Sequence, residues 1–169
     1  MPAAHLGRRF PGTVVALALC AAIVRHAGAQ SGAPPFDVIE ASIPRLQQAM
    51  KDGQVTSRQI VEAYLARIRK YDQAGPAINA FITLNPRALD AADALDAERR
   101  AKGPRGILHG IPIVVKDNYA TEDMPTTAGS KALEGFATHR DAFMVKKLRE
   151  AGVVIIGKTN LHELAYGIT

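Results

Sequence analysis

An α/β fold with a mixed, mostly parallel sheet is predicted by three observations. Stretches with apolar residues at helical spacing alternate with short, continuous apolar runs, those runs are rich in Val and Ile, and Gly or Pro punctuates the junctions. Continuous β-branched runs are what strands buried on both faces require, and such strands need helices packed over them. The 169 residues suit one domain with a real core.

Residues 30–36, rich in Gly, Ala, Ser and Pro, read as a flexible lead-in, with order expected over 37–169. Ile39, Ile43, Leu46 and Met50 recur at spacings of three and four and predict a first helix, stopped by Asp52-Gly53. Thr56 with Gln59 is a capping-box pattern for a second helix whose apolar face is Ile60, Tyr64, Leu65 and Ile68, running to about Tyr71. Pro76 excludes further helix. Ile78–Leu84 reads as a short strand, and Pro86–Ala101 as an Ala-rich helix with Asn85 as N-cap, ended by Gly103-Pro104. Ile111–Val115 is the next strand, apolar on both faces. Asp141–Ala151 is expected to be helical, with Phe143, Val145 and Leu148 turned partly inward and Gly152 as its stop, before Val153–Ile156 returns as a strand.

The first 29 residues read as a secretory leader. Arg8 and Arg9 precede an apolar run from Phe10 to Val24, and Ala27-Gly28-Ala29 offers the small residues needed for cleavage before Gln30. That run is shorter than the roughly 20 residues that span a bilayer, so the expectation is export to the periplasm or beyond, with a mature form that does not span a membrane. Cleavage removes Cys20, the chain's one cysteine, and with it any disulfide, cysteine nucleophile or thiolate metal site. Without Arg8, Arg9 and Arg25, 18 basic residues face 16 acidic ones, a net of +2. Charges are interspersed and aromatics sparse, which argues against nucleic-acid binding.

Chemistry concentrates in the second half. Gly106-Ile107-Leu108-His109-Gly110-Ile111-Pro112-Ile113-Val114-Val115-Lys116-Asp117-Asn118 delivers Lys116 to a strand end, where burial among Ile and Val would let a neutral amine accept a proton. The alternative is a solvated lysine. Met124-Pro125-Thr126-Thr127-Ala128-Gly129-Ser130 offers hydroxyls and amides for a substrate or for Lys116, or else satisfies its own loop backbone. Gly152–Thr159 matches the G-x-x-x-x-G-K-T phosphate-loop pattern, but its Val153-Val154-Ile155-Ile156 interior is a strand rather than a turn, so no nucleotide is expected. His162-Glu163-Leu164-Ala165-Tyr166 begins like a zinc motif and lacks the second histidine, so no metal is implied. Asp117, Asn118 and Gly157–Asn160 read as supports and turns at the sheet end, with a structural role open for Lys158.

Taken in order, the K-D-N segment, the M-P-T-T-A-G-S block and Ala151–Gly167 with its G-K-T-N resemble the amidase signature family over about residues 37–169. The resemblance implies an N-terminal portion of an α/β sandwich and a Ser, cis-Ser, Lys triad that cleaves carboxamides to an acid and ammonia or an amine through an acyl-enzyme, without cofactor or metal. It places the triad lysine on Lys116 and a substrate-channel role on Thr127, Gly129 and Ser130. The substrate it implies is a small or peptide-like amide. In that family both serines lie in a Gly/Ser-rich segment shortly after G-K-T-N. No such segment occurs before Thr169, so the chain is expected to be a fragment that is inactive alone. Two other readings stand beside this one: a partner-dependent binding module, and the A-type subunit of an aminoacyl-tRNA amidotransferase, which the leader disfavours.

Overall fold

The computed structural model describes residues 36–167; the predicted leader, Cys20 and most of the lead-in lie outside the described residues. Among the described residues, four α-helices and three strands follow in the order α1 (Ile43–Lys51), α2 (Ser57–Tyr71), β1 (Phe81–Leu84), α3 (Ala88–Lys102), β2 (Pro112–Lys116), α4 (Phe143–Glu150) and β3 (Val154–Thr159). The sheet order is β1-β3-β2. β3 pairs parallel with β2 and antiparallel with β1, so the sheet is mixed.

Because side chains alternate along a strand, β3 feeds two cores. Val154 and Ile156 join Val61 of α2 and Ala88, Ala92 and Leu95 of α3. On the opposite face Val153 and Ile155 pack with Val115, Met124 and Val145 of α4. A further cluster closes α1 onto α2 through Leu46, Met50, Val55, Ile60 and Ile111. β3 is therefore the central strand, with helices over both faces, as its apolar run requires.

The capping box of α2 forms as its sequence predicts. Gln59 N donates to Thr56 Oγ1 at 3.1 Å, and Thr56 N donates to Gln59 Oε1 at 2.8 Å. Asp96, reaching from α3, accepts from the next two backbone N–H groups, Ser57 N at 2.9 Å and Arg58 N at 3.0 Å. A carboxylate at a helix N-terminus is favoured by the helix dipole, and here it also locks α3 to α2.

Elsewhere the boundaries move for identifiable reasons. Ile39 is outside α1, because Ser42 caps the helix by accepting from Arg45 N. β1 begins at Phe81 rather than Ile78, since the preceding backbone is held by Asp72, whose carboxylate accepts from Ala80 N at 2.6 Å. Burial pushes the Asp72 carboxyl up, but hydrogen bonds from Gln73, Ala80 and Phe81 hold it below the ordinary carboxylate range. Asn85 is not the N-cap of α3. It is buried, its Oδ1 accepts from Arg87 N at 2.9 Å in a turn that precedes the helix, and its Nδ2 donates to Ile155 O at 2.8 Å and to Asp123 Oδ2 at 3.1 Å; the helix starts at Ala88. Phe143 opens α4 at 72 % exposure instead of turning inward. β2 is not covered on both faces either: it is an edge of the described sheet, and Val114 is 42 % exposed. With Ile82 and Leu84 of β1 also exposed, both edges present apolar side chains.

Gly157 explains part of the phosphate-loop resemblance. A Cβ there would lie 2.7 Å from Thr83 O and 3.0 Å from the Phe81 ring, so the glycine exists to let β1 approach β3. Gly157→Ala in the full-length protein is expected to destabilise it by about 1–3 kcal/mol through overpacking, read from thermal denaturation.

Candidate active site

Since β2 and β3 run parallel, their C-terminal ends lie side by side, with Val115 opposite Lys158 and Lys116 opposite Thr159. In an open α/β sheet this is where ligands bind. The two lysines at this end occupy opposite environments. Lys116 is exposed among the described residues, so the desolvation expected from its Ile and Val neighbours is not supplied by them. Lys158, by contrast, is 0 % exposed and forms an ion pair with the equally buried Asp117, Nζ to Oδ1 at 3.0 Å.

That pair organises the loop that follows β2. Lys158 Nζ also donates to Pro125 O at 2.9 Å and to Thr126 Oγ1 at 3.0 Å, while its contact with Asp117 Oδ1 is an ion pair without hydrogen-bond geometry. Asp117 Oδ2 accepts from Thr127 N at 2.9 Å and from the Thr127 hydroxyl. The Asp117 backbone adds two bonds: its N–H donates to Thr159 O at 3.0 Å and its carbonyl accepts from Ala128 N at 3.1 Å. Residues 125–128 are thus fixed to the ends of β2 and β3.

The loop is fixed from the other side as well. The Ser130 hydroxyl donates to Glu163 Oε1 at 2.6 Å and accepts from Ala132 N, capping the short turn Lys131–Leu133. Leu164 N donates to Ala128 O at 2.7 Å. Ala128 (φ 51°), Gly129 (φ 71°) and Leu164 (φ 54°) all lie in the left-handed region, which costs free energy for the non-glycine residues and is held by these bonds. Gly129 is required on two grounds, its φ and the 3.1 Å that would separate a Cβ from Leu161 O.

Between the loop and the sheet end lies a cleft of about 250 Å³ lined by Ile82, Thr127, Gly129, Ser130, Lys131, Glu134 and Asn160. It brings together the three residues expected to contact substrate. Lys116 is not part of its lining; it stands at the adjoining strand end, directly before Asp117. The hydroxyls of Thr127 and Ser130 donate to Asp117 and Glu163 rather than to Lys116, so what they offer a ligand is shape and acceptor oxygens.

The buried pair is the part of the site that sequence reasoning misses. Its signal is available in Gly157-Lys158, a lysine inside an apolar run that belongs to the central strand. The remaining motif residues take structural places. Lys158 of the phosphate-loop pattern is enclosed and paired with Asp117. His109 is buried, its Nε2 bonded to Leu95 O at 2.9 Å while Nδ1 accepts from Arg105 N at 3.3 Å. Among the described residues no helix is long and apolar enough to cross a membrane.

Comparison with known proteins supplies the family. Residues 59–169 match the family model described as Amidase. A putative amidase of Schizosaccharomyces pombe is 50 % identical over 127 residues, covering 75 % of this chain and 21 % of the relative. The A-type subunit of the glutamyl-tRNA(Gln) amidotransferase of Rhodopirellula baltica is 41 % identical over 127 residues, 75 % of this chain and 25 % of that protein. Among solved structures, the native peptide amidase from Stenotrophomonas maltophilia superposes with a TM-score of 0.74 at 47 % identity, over 76 % of this chain and 26 % of that one. The chain spans between a fifth and a third of the length of the curated relatives it matches. With residues 59–169 inside the family model, and with the fold of a solved amidase shared over 76 % of its length, the chain belongs to the amidase family.

Proposed function

We propose that the protein carrying this chain is an exported amidase that cleaves a small or peptide-like carboxamide through an acyl-enzyme, with Lys116 as its base. The observation that supports this best is the placement of Lys116 at the end of β2, beside a cleft walled by Thr127, Gly129 and Ser130. In this reading the nucleophilic serine passes its proton through the bridging cis-serine to the neutral amine of Lys116, and backbone N–H groups hold the tetrahedral oxyanion. Water then releases the acid. The resemblance puts both serines in the part of the relatives that this chain does not match, so residues 1–169 alone are expected to be inactive. The chemistry needs no cofactor and no metal.

A second reading, the A-type subunit of a glutamyl-tRNA amidotransferase, is favoured by the 41 % identity to that relative. The apolar leader read from residues 1–29 counts against it.

The test is ammonia release by the full-length protein from three primary amides, an N-acyl amino-acid amide, an aliphatic amide and an aryl amide, with hydroxylamine present to intercept an acyl-enzyme. Turnover of at least one amide without any other protein, with hydroxamate formed, is the expected result. Activity on glutamine alone that appears only with a second protein would favour the amidotransferase, and neither ammonia nor hydroxamate from any of these would overturn both.

A further inference from the structure

We infer that the buried Lys158–Asp117 pair is a positioning device for the reaction, setting the loop that walls the cleft against the strand end that carries Lys116. The inference rests on the reading of Lys116 as the base.

A buried ion pair is a poor way to gain stability, because desolvating two charges costs about as much as their attraction returns, and apolar residues of similar volume would serve as well. What such a pair does supply is a fixed geometry. Here its bonds fall on three consecutive loop residues: Lys158 holds Pro125 O and Thr126 Oγ1, and Asp117 holds the amide and hydroxyl of Thr127. The stretch from Pro125 to Ala128 has no helix or strand of its own, so these bonds determine where Thr127 and its neighbours in the cleft wall stand. The same pair acts on Lys116. Asp117 opens the turn that ends β2, with its N–H bonded to Thr159 O, and burial alternates from buried Val115 through exposed Lys116 to buried Asp117. Anchoring the Asp117 side chain inward on Lys158 therefore turns Lys116 outward, to the exposed side where it is found. One ion pair thus couples the wall of the cleft to the direction of the base.

The experiment compares Asp117→Asn/Lys158→Met, Thr126→Val and Thr126→Ser in the full-length protein, using the best of the three amides above. The double variant removes both charges together. If it melts cooperatively, its kcat is expected to fall roughly 10- to 100-fold, the size of effect a misplaced reacting geometry produces, with KM changed by less than about threefold. Thr126 does not line the cleft, yet its hydroxyl accepts from Lys158. Thr126→Val should therefore lower kcat by about threefold or more, and Thr126→Ser, which keeps the hydroxyl, should restore it. Wild-type kcat and KM in a folded double variant would overturn the inference, as would Thr126→Val and Thr126→Ser that both behave as wild type. If the double variant does not fold, the Thr126 pair decides. Lys116→Met serves as the control: retained activity there would remove the base assignment itself, whereas loss there with wild-type kinetics in the other variants would remove only the positioning role.

Discussion

Lys116→Met in the full-length protein is expected to lower kcat/KM by about 10³- to 10⁴-fold, the range for losing a general base that works as one unit with a nucleophile. Stability should change by no more than about 0.5 kcal/mol, as for other exposed substitutions. The dissociation between the two readouts follows from the structure. Lys116 is exposed among the described residues, and the bonds that hold the loop and the sheet end run through Asp117 and Lys158 instead. Methionine keeps the unbranched stem and removes only the amine. Kinetics with the amide identified above, paired with a thermal melt, check both halves. Near-normal turnover would falsify the assignment of Lys116, and a large drop in melting temperature would mean that the side chain supports the fold.

The elements most legible in the sequence are those whose signal is local. The Thr56–Gln59 pattern becomes a capping box because both partners lie within one turn, and the run from Val153 to Ile156 leads into the central strand, which pairing with β1 and β2 carries on through Gly157 to Thr159 where turns were expected. Signals that depend on long-range partners are less legible. Asn85 accepts from Arg87 N through Oδ1 as a local turn predicts, but nothing near it in sequence reveals that its Nδ2 ties this turn to Ile155 O and Asp123 Oδ2 while the helix waits until Ala88. The apolar run Ile111–Val115 does not reveal that β2 sits at an edge, since Ile111 is buried at 3 % while Val114, equally apolar, is 42 % exposed. The site shows the same division. Thr127, Gly129 and Ser130 can be grouped from one short block, and the structure does gather them into one cleft. For Lys116 the local sequence suggests a burial that the described residues do not supply, while the apolar run around Lys158 hints at its enclosure without naming its partners. What desolvates Lys158 is β3's central place and a loop more than 30 residues earlier in the chain, which supplies Pro125 O and Thr126 Oγ1.

The enclosure of Lys158 gives the second large effect. Lys158→Met in the full-length protein is expected to cost about 3–5 kcal/mol, because it strands the Asp117 carboxylate at 0 % exposure without its counter-charge. It also removes the donor to the half-buried Pro125 O and Thr126 Oγ1, which adds the loss of two charge-assisted hydrogen bonds. The Lys131–Glu134 pair supplies the comparison within the same molecule. Its N–O distance is 3.1 Å, close to that of the buried pair, but its side chains are 90 % and 71 % exposed, so Lys131→Met should cost no more than about 1 kcal/mol. Chemical denaturation of the two variants side by side measures the difference that burial alone makes. Adding Asp117→Asn to Lys158→Met should recover a substantial part of the loss, since no lone charge is then buried. A loss below about 1 kcal/mol for Lys158→Met would show that water reaches Asp117 and that the strand end is more open than this packing allows. The comparison with Lys116→Met then separates the two lysines at one sheet end: removing the exposed amine costs activity and spares the fold, while removing the enclosed one costs the fold first.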